Sequence, residues 1–368
     1  MINIEKNSII VIKVGSSILV DGSGKLDMTK LEAITVMISN LKQNGYNVVL
    51  VSSGAIACGM EKLGITNRPK TIAESSCAAA IGQSLLMFDY EQSFRKSGLI
   101  CAQILLTSDC LHKRDRYLNA RTTILHLLEK GNVVPIVNEN DAVVTDEIRF
   151  GDNDKLSAQV AVLIDAQLLV ILSDVDGVYD SKGIVIDQIA EIDSCVEKLA
   201  GDTSRQTSTG GMITKFEAAK IASNAGILMV IGNGRDVNLV QNIVDAKQTG
   251  TWFIPRKDKI SGKKRWIAFS CKDCGKIIVD AGAKKALLEN KTSLLAIGIV
   301  EIEGNFSFGD LVLVFDYNNN EIARGLTNYS SDELSKIKRN RTADFEQILG
   351  YKSYDEVIDR DNLAVIKQ

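Results

Sequence analysis

The chain has 368 residues, of which 45% are hydrophobic and 24% charged, and its formal charge is -3. That length suits two domains, and so small a net charge excludes a broadly basic nucleic-acid or membrane-surface binder. No apolar run approaches the ~18 residues of a membrane span, and the opening MINIEKNSIIVIKV is too short and too polar for a secretory signal. The seven cysteines are scattered, as expected of free thiols in the reducing cytoplasm.

From the N-terminus, residues 8–14 (SIIVIKV) read as a buried strand. Residues 28–44 place Met28, Leu31, Ile34, Ile38 and Leu41 at helical spacing, and Gly45 ends that helix. YNVVLVSS is the next strand, and helices are expected at 54–64 and 73–97. A strand at 99–106 and a helix at about 116–130 lead into the strand VVPIVN. A helix at 153–165, a strand at 168–173, a helix at 211–225, a strand at 227–231 and a helix at 236–245 follow. Alternating helices and continuously apolar strands predict an α/β fold with a mostly parallel sheet sandwiched between helices. Ligands of such sheets sit at the carboxyl ends of the strands. On that rim the chain puts Lys13-Val-Gly-Ser-Ser17, Ser52-Ser-Gly-Ala55, the acidic stretch NENDAVVTDEIRFGDND (138–154) and Ser173-Asp174. The pattern changes after Pro255. Residues 1–255 are expected to form the first domain and 256–265 (RKDKISGKKR) a linker. Residues 266–368 carry short runs such as WIAFS, GKIIVD, GIVEIEG, DLVLVFD and EIARGLTN, which read as a small, mainly β domain.

The chemistry rests on several patterns. Gly15 and Gly54 sit where small residues let backbone N–H groups approach an anion. Gly22-Ser-Gly-Lys25 lacks the spacing of a Walker A loop, and Gly232-Asn-Gly234 lacks the third glycine of a dinucleotide fingerprint. Ser208-Thr-Gly-Gly-Met-Ile-Thr-Lys215 opens a helix with a lysine near its positive end, which calls for an anion nearby. Lys13 lies at the carboxyl end of an apolar strand, where a lysine either snorkels or is paired. In the acidic stretch, Asp141, Asp152 and Asp154 could bind a metal, grip an ammonium group or orient the lysines. Asn138 and Asn153 can donate to carboxylates and accept from ammonium groups. A hairpin over 142–150 accounts for Asp146, Glu147 and Arg149 as solvated charges. Cys271 and Cys274 form a CxxC without a second ligand pair, so no metal site is expected there.

Together, IKVGSS, VSSGAIACGM, LNARTTI, VPIVNENDAV, GDNDKLSA, LSDVDGVY and STGGMITK resemble the amino acid kinase family, in the family's order. KRWI, VDAGAKKAL, GNFSFGD and ARGLTNYSSDEL look like the PUA domain that some members carry. The resemblance is closest to the branch acting on glutamate. It implies an amino acid kinase fold and ATP-dependent phosphorylation of the γ-carboxylate of L-glutamate, with Mg2+ bridging the nucleotide phosphates. By resemblance, Lys13 and Lys215 flank the transferred phosphoryl group and Asp154 orients them. Ser53, Asp141 and Asn153 contact glutamate, helped by Asn138 and Asp152. Asp141 suits the substrate ammonium group, and Ser53 and Asn153 can donate to its carboxylates. The nucleotide site comprises Lys13, Gly15, Ser173, Asp174, Thr209, Gly210, Gly211, Met212, Ile213, Thr214 and Lys215. The family often has threonine where Ser173 stands, and serine keeps the hydroxyl. The segment after Tyr179, DSKGIVID, is short for the family. Inhibition by proline and a homo-oligomer, dimer or tetramer, are also implied. PUA-like domains bind RNA in other proteins. Here the charges over 264–368 nearly cancel despite a basic run at Lys336, Lys338, Arg339 and Arg341, so RNA binding is not expected.

Overall fold

A computed structural model describes residues 4–67, 69–144, 152–192, 211–255 and 275–366, with the single positions 196, 264 and 267. Thr209, Gly210, Asp146, Glu147, Arg149, the Cys271/Cys274 pair, the run WIAFS except Ile267, and the expected linker except Lys264 lie outside the described residues. The chain divides into two compact units, Met1–Lys259 and Ile260–Gln368.

In the first unit, β1 (Ile9–Val14) is followed by the short α1 (Ser16–Leu19), then α2 (Met28–Gln43) and β2 (Asn47–Val51). Asp27 caps α2 by accepting from the N–H groups of Thr29 and Lys30, which satisfies two otherwise unpaired donors. Next come α3 (Ala55–Leu63), α4 (Ile72–Arg95), β3 (Ile100–Leu106), α5 (Ser108–His112), α6 (Arg114–Glu129) and β4 (Val133–Glu139). A Thr71/Glu74 capping box starts α4. Then follow α7 (Asn153–Leu163), β5 (Leu168–Ser173), β6 (Gln188–Ile189), α8 (Met212–Asn224), β7 (Leu228–Asn233), α9 (Leu239–Val244) and β8 (Thr251–Phe253).

Among the described residues the strands form an eight-stranded sheet in the order β3-β4-β2-β1-β5-β7-β8-β6. All neighbours run parallel except β7 and β8. Lys13 stands opposite Val51 on one side and Ile171 on the other, and Val51 opposite Val137. The carboxyl ends of β1, β2, β4 and β5 therefore share one rim, as expected from the sequence. Ile10, Ile12 and Val14 pack into a core with Leu31, Ile34, Ile38 and Leu41 of α2 and Leu86, Tyr90 and Phe94 of α4. Strand alternation turns Val11 and Lys13 to the opposite face, where α7 packs against β1, β4 and β5. Both faces are buried, which is why these strands read as unbroken apolar runs.

The second unit holds β9 (Gly275–Val279), α10 (Ala281–Leu288), β10 (Ile299–Gly304), β11 (Leu311–Phe315), β12 (Glu321–Leu326), α11 (Ser331–Ile337), α12 (Phe345–Leu349) and β13 (Leu363–Val365). Its sheet runs β10-β9-β11-β12-β13 around a separate core that includes Ile277, Val312, Val314, Tyr329 and Phe345. The β character matches the sequence reading. The three short helices are an addition to it.

Candidate active site

Asp154 is the centre of the site. It lies in the first turn of α7 and is fully buried. Lys13 Nζ approaches its Oδ1 at 2.6 Å, and Lys215 Nζ donates to its Oδ2 at 3.1 Å. The two lysines are only 6% and 7% exposed, so this is a buried ion triad and neither ammonium group snorkels to bulk water. Lys13 also lies 3.9 Å from Asp152. Burial pushes the Asp154 carboxyl upward, but the charges and hydrogen bonds of Lys13 and Lys215 outweigh it and hold the group below its ordinary value. The lysine at the positive end of α8 thus has its compensating anion: Asp154, brought in by the packing of α7 against α8.

Thr214 extends the triad. Its hydroxyl is within 3.3 Å of Asp152 Oδ2, 3.1 Å of Asp154 Oδ2 and 2.9 Å of the Gly211 carbonyl. Asp152 caps α7 by accepting from the Asp154 N–H. Gly15 borders the same space, since a Cβ added there would come within 3.4 Å of Lys13 Nζ. Met212 is half-buried and Ile213 is exposed on the first turn of α8. Ser173, buried at the end of β5, donates to Asp174 Oδ1 at 3.3 Å. The rejected glycines have packing roles: a Cβ on Gly232 would strike Leu239, and one on Gly234 would strike Leu172 and Ile18.

An amide cluster adjoins the triad. Asn153 Nδ2 is within 2.8 Å of the Ser52 carbonyl, 2.9 Å of Ser53 Oγ and 3.0 Å of Asn138 Oδ1. Asn138 is buried and donates to Gln83 Oε1 at 2.9 Å. Ser52 Oγ lies 2.9 Å from Tyr90 Oη, and Ser76 donates to the Asp141 carbonyl at 2.6 Å. Gln83, Ser76 and Tyr90 escaped the sequence reading, which places Ser52 on the rim without a role of its own. A long amide in the small-residue helix Ala78–Ile81–Gly82–Gln83 was the one signal that could have pointed to the first. Among the described residues no group of three or more His, Cys, Asp or Glu side chains could hold a metal ion. The two site aspartates already face lysines, Thr214 and a helix N-terminus, so a magnesium ion would fit here only with phosphate and water oxygens as most of its ligands.

With this geometry, two cations on one carboxylate at the rim of a parallel sheet, the chain has the makings of a phosphoryl-transfer site. The pattern of the amino acid kinase family matches residues 8–233, and that of the PUA domain matches residues 275–349. The chain belongs to the amino acid kinase family and carries a PUA domain. It is 47% identical over 365 residues to a glutamate 5-kinase of Thermoanaerobacter sp. (strain X514), covering 98% of each chain. It is 45% identical to a glutamate 5-kinase of Geobacter sulfurreducens, covering 97% of each. Within the family it therefore groups with the glutamate 5-kinases, and it is a phosphotransferase. N-acetylglutamate synthase from Neisseria gonorrhoeae, solved with coenzyme A and L-arginine, superposes with a TM-score of 0.51 at 17% identity, covering 72% of this chain and 66% of that one. That likeness is one of fold. Among the described residues no helix is long and apolar enough to cross a membrane.

Proposed function

We propose that the chain transfers the γ-phosphoryl group of ATP to the γ-carboxylate of L-glutamate, giving L-glutamyl 5-phosphate as the first step toward proline. The carrying observation is the buried Lys13–Asp154–Lys215 triad. Phosphoryl transfer asks little covalent help of a protein; it asks for in-line positioning and neutralised charge. Asp154 and Asp152 balance the two ammonium groups at rest and keep them fixed in a water-poor site, where the N–H groups left over act strongly on a migrating phosphoryl group. Asp154 keeps the lysines in place without being consumed. Gly15, Ser173, Asp174 and the run from Thr209 to Lys215 hold the nucleotide. Ser53, Asp141 and Asn153, with Asn138 and Asp152 behind them, hold glutamate. Magnesium, when bound, screens the phosphate charge and takes mostly nucleotide and water oxygens.

Around this reaction we place a cytoplasmic homo-oligomer inhibited by proline, with residues 1–255 catalytic, 256–265 linking and 266–368 PUA-like. A coupled ADP-release assay tests the reading. Glutamate, N-acetylglutamate, aspartate and UMP are offered in turn, with and without proline. ADP release on glutamate alone, reduced by proline, is the expected result. Turnover on N-acetylglutamate instead of glutamate would overturn it, because that substrate has no ammonium group for Asp141.

A further inference from the structure

The amide cluster beside the triad has a polarity that the backbone decides. The Glu139 N–H donates to Asn138 Oδ1 at 2.9 Å, and Asn153 Nδ2 donates to the Ser52 carbonyl at 2.8 Å. A backbone N–H can only donate and a carbonyl can only accept, so flipping either amide would set like against like. Asn138 must therefore turn Oδ1 toward Asn153 Nδ2 and its own Nδ2 toward Gln83 Oε1, at 3.0 and 2.9 Å. Asn153 Nδ2 also meets Ser53 Oγ at 2.9 Å. Its two hydrogens face three protein acceptors, and none is left over for a substrate. Its Oδ1 accepts no hydrogen bond among the described residues. Ser53, engaged as an acceptor, keeps its own O–H to donate.

We propose that Gln83 is a positioning residue which, through Asn138, holds Asn153 with Oδ1 presented to the substrate ammonium group while the Ser53 hydroxyl donates to a substrate carboxylate. The inference rests on the glutamate reading above. It gives Asn153 the acceptor's part beside Asp141, in place of a donor's part toward a carboxylate. The chemistry favours an amino acid substrate, because an ammonium group brings a positive charge and three N–H donors to the amide oxygen, whereas an acylated nitrogen brings one uncharged N–H and a carboxylate brings none. Gln83 completes the relay from α4, on the far side of Asn138 from the substrate. Asn138 is only 4% exposed, so its Nδ2 has no water to fall back on if Gln83 is lost.

The test compares the full-length enzyme with Gln83→Met, which keeps the side-chain length but removes the acceptor. KM for glutamate is expected to rise roughly tenfold, in keeping with one orphaned buried donor, while kcat and KM for ATP stay within about twofold. In the Asn138→Leu background no side-chain amide is left for Gln83 to hold, so adding Gln83→Met changes KM for glutamate by less than about twofold. A crystal structure with glutamate bound should place the ammonium nitrogen beside the Asn153 amide atom that points away from Ser52. An unchanged KM, equal effects in both backgrounds, a fall in kcat together with the melting temperature, or a carboxylate oxygen at that amide atom would each overturn the inference. A wild-type enzyme that releases no ADP on glutamate would instead sink the substrate reading itself.

Discussion

Lys13 and Lys215 come from remote parts of the first unit's chain, one from a strand and one from a helix, and meet on the two oxygens of Asp154. On the proposed mechanism, removing Lys215 takes away a charge contact that strengthens as the phosphoryl group moves. Lys215→Ala should lower kcat by roughly 100-fold or more with a smaller change in KM, read by steady-state ADP release. Asp154→Ala strands two buried ammonium groups and should cost about 3–5 kcal/mol, measured by urea denaturation. The pH dependence has a definite sign. The folded-state value of Asp154 is depressed, so its contribution is complete above its ordinary value of 3.8 and is lost as pH falls through the lower folded value. The stability gap between wild type and Asp154→Asn should be flat near neutrality and shrink only in strong acid. The lysines and aspartates stood out in the sequence because charges in apolar or glycine-rich surroundings need an explanation. Gln83 did not, because an uncharged amide within a helix looks like any surface residue until its partner is known.

At the scale of elements, the segments that carry the rim were legible because their hydrophobic periods are clean. Strand β4 and helices α2, α7 and α8 fall within a residue or two of their expected limits. The strand order was not legible, since periodicity says which faces are buried but not which strand lies beside which. The same holds for α3 and α4, whose contact depends on two glycines. A Cβ on Gly59 would stand 1.8 Å from the Ala78 carbonyl oxygen, and one on Gly82 would stand 1.8 Å from that of Ala55. Backbone cannot yield as a side chain can, so Gly82→Ala must pry the helices apart. A loss of about 1–3 kcal/mol is expected by thermal denaturation. The same variant should raise KM for glutamate, because α3 begins directly after Ser52-Ser-Gly54 and α4 carries Gln83. Unaltered stability would show that the helices separate freely.

For the whole molecule, the two units have separate cores, one built on the parallel sheet and one on the β sheet of the PUA domain. Two cores predict two cooperative transitions, or a calorimetric enthalpy exceeding the van't Hoff value. ATP should raise only the transition of the first unit, by about 2.7 kcal/mol in stability at a hundred times its Kd. A single transition that shifts as a whole would show that the units unfold together. The change from long alternating elements to short strands marked a second domain in the sequence. Its helices were missed because a run of two turns is too short for periodicity to declare itself.

By itself the sequence determined the class of fold, the rim at the carboxyl ends of the strands and the charged residues that gather on it. Local period, capping and composition carry that information directly. Only the tertiary structure decided that Asp154 is shared by both lysines, that Gln83 stands behind Asn138, and that Asn153 spends its hydrogens on the protein. Those are facts of direction and distance between residues remote in the chain. They come into being when strands pair in one order and helices close on both faces of the sheet.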